Sequence, residues 1–143
     1  MLARPWPRAV AHSLSHPPQA AIAVGIGGLA GAGARWGLIE TLPSTDAWPW
    51  GVLAVNLAGC VVLGYLAAAA WSAQAQLPVS LGMGTGFCGS LTTFSALTVD
   101  VAEMARDGDW GYAASYLAVS VAGGVALALV GAALRTVQLK EAQ

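Results

Sequence analysis

The sequence predicts an all-α membrane protein of four transmembrane helices, with the third helix broken. Three observations lead there. Of the 143 residues, 57% are hydrophobic and only 9% are charged, against about a quarter charged in an average soluble domain. Four windows, residues 20–40, 50–71, 77–102 and 111–134, reach the ~20 mostly apolar residues that a spanning helix needs. Finally, residues 86–95 (Gly-Phe-Cys-Gly-Ser-Leu-Thr-Thr-Phe-Ser) put two glycines, two vicinal threonines and two serines inside the third window with no charge. Backbone freed at membrane depth must find partners away from water, so non-helical chain there lines a protein-enclosed site or a water-filled path. The polar run therefore reads as an ion or substrate site built around a helix break.

The windows leave almost nothing for a soluble domain. Residues 1–19 read as a flexible, basic N-terminal tail, 20–135 as the membrane domain and 136–143 as a C-terminal tail. The tail holds Arg4, Arg8, His12, His16 and four prolines, which interrupt the apolar stretch a signal peptide would require. A formal net charge of −1 gives no basic patch for nucleic acid. Cys60 and Cys88 both lie in apolar segments, where small thiols pack as ordinary core residues.

In the first helix, Gly27 and Gly31 form a GxxxG face that admits a close neighbouring helix. The surrounding glycine spacing mimics a dinucleotide fingerprint, but no strand or βαβ unit accompanies it. Arg35 ends this helix beside Trp36. It suits either a headgroup anchor or a positive charge at the mouth of an anion path. Trp36, Trp48, Trp50, Trp71 and Trp110 all fall at predicted helix ends, as an aromatic belt at the membrane interfaces requires.

Asn56 is the one strongly polar residue of the second helix. In hydrocarbon its amide must bond something, either another helix or a passing dehydrated anion. Asp100 stands six residues beyond Phe94, as a surface cap or as part of a polar pathway. In the fourth helix Tyr112, Tyr116, Ser120 and Gly124 recur at intervals of four and share a face, either a packing stripe or a hydroxyl-lined track. Orientation is weakly specified: the positive charges of the two tails favour cytoplasmic termini, and the bias rests on those tails alone.

Four pieces now stand in order: Gly27-Gly28-Leu-Ala-Gly31-Ala-Gly-Ala-Arg35-Trp36, Gly51-Val-Leu-Ala-Val-Asn56-Leu-Ala-Gly59, the run 86–95, and the polar face of the fourth helix. Together they resemble the CrcB/Fluc fluoride channels over residues 20–135. The resemblance implies an antiparallel, dual-topology dimer in the cell (inner or plasma) membrane, with two narrow fluoride pores and a structural sodium ion at the dimer centre. The implied fluoride pathway takes in Asn56, Thr93, Phe94, Ser95, Leu97, Asp100, Tyr116 and Ser120, with Arg35 at its vestibule. The backbone carbonyls of Gly89 and Thr92 would bind the sodium. Asn56 would donate to fluoride and Phe94 would turn its positive ring edge to it.

Three positions depart from the family pattern: Leu97 replaces a second phenylalanine, Val52 replaces a threonine, and Gly124 replaces the last hydroxyl of the track. Either the pore tolerates them as a homodimer, or the chain works in a heterodimer with a more complete paralogue. The competing class, a small dual-topology drug/proton antiporter, needs a membrane-embedded carboxylate, and the first helix has none before Glu40. An enzyme is not expected, because no nucleophile is paired with a base.

Overall fold

A computed structural model describes residues 18–42, 48–71 and 77–141. The N-terminal tail, apart from residues 18 and 19, the two short loops at 43–47 and 72–76, and residues 142–143 lie outside the described residues. Helix α1 runs Pro18–Thr41 and α2 runs Trp50–Trp71. A short α3, Leu77–Leu81, continues into a π-helical segment, Gly82–Cys88, and then into a single turn, α4, Gly89–Leu91. Helix α5, Phe94–Arg106, and the long α6, Trp110–Glu141, complete the chain. No strand occurs among the described residues.

Three helices, Pro18–Thr41, Trp50–Ala69 and Trp110–Glu141, are long and apolar enough to cross a membrane. The chain is a multi-pass membrane protein. The fourth predicted window, 77–102, is not one continuous helix: Thr92 (φ −79°, ψ 154°) and Thr93 (φ −146°, ψ 116°) have extended backbones between α4 and α5. Helix α6 passes the expected end of the membrane domain at 135 and stays helical to Glu141.

Small residues set how the helices meet. A Cβ at Gly27 would strike the Gly82 carbonyl, and one at Gly31 the Phe87 carbonyl. The expected GxxxG face thus lies directly on the π-helical backbone, closer than any side chain would allow. Helices α2 and α6 meet the same way: Gly64 faces the Ala128 carbonyl and Gly131 the Val61 carbonyl. Gly108 (φ +90°) makes the tight turn from α5 into α6, a conformation glycine adopts without a Cβ penalty.

The apolar core sits between α2, α5 and α6. Val52, Leu53, Leu97 and Tyr116 are buried there, with Trp48, Leu57 and Met104 packed around them. Trp36, Trp50 and Trp110 are exposed at helix ends, as an interfacial belt needs. Trp48 departs from the belt. Its ring meets Tyr116 edge-on, with centroids 5.5 Å apart and planes at 70°, so it closes the end of the core.

Candidate functional site

The polar run does its first work on its own backbone. Thr92 closes the preceding turn: its N–H and its hydroxyl both donate to the Cys88 carbonyl, at 3.0 and 2.9 Å. Thr93 opens the next helix as its N-cap, with Oγ1 accepting the Ala96 N–H at 3.2 Å and lying 3.1 Å from the Ser95 hydroxyl. The adjacent threonines therefore end one helix and start another. Both use the hydroxyl-to-backbone bonding that favours such residues at helix ends.

Asn56 secures the chain between them from α2. Its Nδ2 donates to the Thr93 carbonyl at 3.0 Å, and its Oδ1 accepts the Thr93 N–H at 2.7 Å. One amide thus answers both backbone groups of one residue. Gly59, one turn along α2, makes the approach possible, because a Cβ there would collide with Thr92 Cγ2.

These bonds have a consequence for two carbonyls. In a continuous α-helix the Thr93 N–H would donate to Gly89 and the Ala96 N–H to Thr92. Here the first goes to Asn56 and the second to the Thr93 hydroxyl. The Gly89 and Thr92 carbonyls are deprived of their helical donors, which leaves oxygen lone pairs for another partner.

A cavity of about 360 Å³ adjoins the break. It brings together Asn56, Thr93, Phe94, Leu97 and Ser120 of the sequence-derived set, along with Gly89 and Thr92. Phe94, the first residue of α5, is 76% exposed, whereas Leu97 is 6% exposed and belongs to the core. The Ser120 hydroxyl is buried without a hydrogen-bond partner.

Tyr116, one turn before Ser120, lies in the core behind this cavity. It is wholly buried and its hydroxyl has no partner; one oxygen of Asp100 shares that condition. The phenol and the carboxylate are near enough to interact electrostatically, yet no hydrogen bond of acceptable geometry joins them. Tyr112, on the same helical repeat, is 52% exposed, so the hydroxyl face turns inward only from Tyr116 onward. Ser95 is exposed and bonds to Thr93. Arg35, partly buried on α1, does not line the cavity.

Residues that sequence reasoning did not assign also line it, including Gly59, Cys60, Leu63, Gly84 and Cys88. The close spacing of small residues around Asn56 and through 82–89 was the available signal for them.

A family model described as "CrcB-like protein, Camphor Resistance (CrcB)" matches residues 22–132. The chain belongs to this family. It is similar to proteins named fluoride-specific ion channel FluC. One, from Bordetella avium (strain 197N), is 39% identical over 117 residues, covering 78% of this chain and 89% of the relative. Another, from Bordetella pertussis (strain Tohama I), is 39% identical over 128 residues, 88% of this chain and 97% of the relative. A third, named FluC 2, from Moorella thermoacetica (strain ATCC 39073), is 43% identical over 112 residues, 76% and 89% of the two chains. The match to CrcB takes in most of α1 and α6, all of α2 and the break, so the site described above lies wholly inside it.

Proposed function

We propose that this chain builds a fluoride-selective channel through which fluoride leaves the cytoplasm passively, relieving its toxicity. The observation that carries the reading is the convergence of Asn56 and Phe94 on one cavity at the helix break, in a chain whose relatives bear the name of fluoride-specific channels. Hydrogen fluoride enters an acid-exposed cell uncharged and ionises in the more neutral cytoplasm. A selective pore then lets the anion run down its gradient.

The groups available are weak donors rather than cations. Asn56 has two amide hydrogens; Thr93 takes one, and the other is left for a small dehydrated anion. Phe94 offers its ring edge, the positive side of the quadrupole. Ser120 and Tyr116 carry buried hydroxyls with no protein partner. Few, neutral donors replace part of the hydration shell without trapping the ion, the balance conduction requires.

We read α3, the π-helical segment, α4 and α5 as one membrane crossing broken at Thr92–Thr93, which gives four crossings in the cell membrane. Two chains in antiparallel, dual-topology orientation would complete the pores. The exposure of Phe94 supports this, because a second copy would bury it. The Gly89 and Thr92 carbonyls fit a structural sodium ion at the dimer centre, since their helical donors are diverted and hard cations take oxygen ligands. Bound there, sodium would supply the positive charge that offsets the burial of those oxygens. A heterodimer with a paralogue is the second reading. Leu97, an aliphatic side chain turned into the core, favours it, as do relatives named FluC 1 and FluC 2.

Liposomes loaded with fluoride and monitored by a fluoride electrode test the function. Wild-type protein is expected to empty them and Phe94→Ile to slow the release. Release no faster than from protein-free liposomes would remove the homodimeric channel, and co-expression with the paralogue would then decide the heterodimer. Purification without sodium should weaken the dimer; an unchanged dimer would count against the carbonyl site.

A further inference from the structure

One contact next to the site is unused by the reading above, the ring of Trp48 against the ring of Tyr116. Trp48 stands just before α2, and its backbone is tied to that helix. Its carbonyl accepts the Trp50 N–H at 3.1 Å, and the Pro49 carbonyl accepts the Leu53 N–H at 3.2 Å. The indole touches two other rings. Its centroid lies 5.2 Å from that of Trp50 and 5.5 Å from that of Tyr116, the latter with the planes at 70°. Edge contacts at such distances are attractive and directional, so the indole is a fixed wall at the end of the core.

The orientation of Tyr116 decides where its oxygen lies. The residue is wholly buried, and its hydroxyl meets no protein partner. The Cζ–Oη bond lies on the axis of χ2, so turning the ring leaves the oxygen in place and only χ1 moves it. A tyrosine on a helix has two common χ1 wells, which carry the oxygen to different places. Val52, Leu53 and Leu97 pack on Tyr116, but aliphatic surfaces supply volume rather than direction. Among the described residues Trp48 supplies the ring contact. Trp48 does not line the cavity that holds Asn56 and Ser120, so any effect it has on an ion passes through Tyr116.

We propose that Trp48 is a positioning residue for the anion path: its edge-on contact holds Tyr116 in the rotamer that keeps the hydroxyl on that path. The proposal rests on the channel reading, in which the Tyr116 hydroxyl serves fluoride. An edge-on aromatic pair biases a ring by about two- to tenfold. Loss of the indole should therefore slow fluoride by about that factor, and by no more than loss of the hydroxyl itself.

Fluoride efflux from loaded liposomes, normalised to folded protein from size-exclusion chromatography, tests this as a double-mutant cycle. Trp48→Met fills the space with a flexible side chain but removes the ring, and should slow efflux about two- to tenfold. Trp48→Phe keeps an aromatic edge and should recover most of that loss. In the Tyr116→Phe background the ring and its packing persist while the hydroxyl is gone, so adding Trp48→Met should slow efflux no further. An equal extra slowing there, or wild-type efflux from Trp48→Met alone, overturns the proposal. If Trp48→Met does not fold, tyrosine-selective ¹³C labelling of the wild-type protein decides, since the chain has three tyrosines. A single χ1 rotamer for Tyr116 with a nuclear Overhauser contact to the Trp48 indole supports the proposal, and an averaged χ1 overturns it. If Tyr116→Phe conducts at the wild-type rate, the positioning role falls and the channel reading stands. If wild type conducts no fluoride, the channel reading falls, and the χ1 measurement still decides whether Trp48 holds the ring.

Discussion

Replacing Asn56 with alanine removes a clamp as well as a donor, and its two effects are separable. The side chain makes two hydrogen bonds to Thr93, at 3.0 and 2.7 Å, and alanine would strand the N–H and C=O of that residue. A stranded backbone group costs about 1–3 kcal/mol. Thr93 is only part-buried, so the lower end applies to each, or about 2 kcal/mol in all, roughly a 30-fold shift toward a disordered break. Asn56→Asp keeps an oxygen for the Thr93 N–H, loses the donor to the carbonyl and turns a negative charge toward the cavity. It should cost no less stability than alanine, because it sets an acceptor against the Thr93 carbonyl and buries a charge, and it should abolish fluoride efflux by repulsion. The assay is thermal unfolding in detergent, followed by near-ultraviolet circular dichroism, beside fluoride efflux from liposomes. If Asn56→Ala unfolds at the wild-type midpoint, the clamp is wrong. If Asn56→Asp conducts normally, the amide does not face the ion.

Other substitutions probe neighbouring parts. Thr93→Val keeps the β-branched shape but removes the hydroxyl that caps Ala96 at 3.2 Å; it should lower stability by about 1 kcal/mol, read from the same unfolding curve. Gly31→Leu should abolish folded protein, because a Cβ there meets the Phe87 carbonyl, whereas Gly33→Leu should express normally, since no atom lies within 4 Å of a Cβ at that position; size-exclusion chromatography distinguishes the two. Tyr116→Phe removes a buried hydroxyl that no protein atom bonds. It should leave stability equal or raise it by up to about 1 kcal/mol, while slowing fluoride efflux if the hydroxyl serves the ion.

The membrane architecture was legible because lipid imposes a one-dimensional demand: any crossing must be apolar along its whole length, and sequence windows read that directly. Where a helix stops is a different matter. Residues 135–141, Arg-Thr-Val-Gln-Leu-Lys-Glu, are too polar for hydrocarbon but mostly good helix formers, so α6 continues where the apolar window ends. The break was legible as a polar anomaly, and its chemistry was not. Nothing in Thr-Thr says that the first hydroxyl turns back to Cys88 while the second turns forward to Ala96. Those directions follow from the extended backbone between them, which Asn56 stabilises from another helix. The π-helical geometry of Gly82–Cys88 is equally silent in the sequence, as is its close contact with Gly27 and Gly31 of α1.

Leu97 shows how position alters the meaning of a residue. Read along the chain, it is an aromatic that is missing from a pore. In the folded chain it packs with Val52 and Tyr116, while Trp48, read as part of an interfacial belt, supplies the aromatic contact to Tyr116 instead. Val52 and Leu97, two of the three departures from the family pattern, thus share one packed cluster. The third, Gly124, lies against Cys60. A single reversion such as Leu97→Phe would insert a ring into a cluster already closed by Trp48. Overpacking of that kind costs about 1–3 kcal/mol, and fluoride conduction should improve only where Val52 or Trp48 is changed with it.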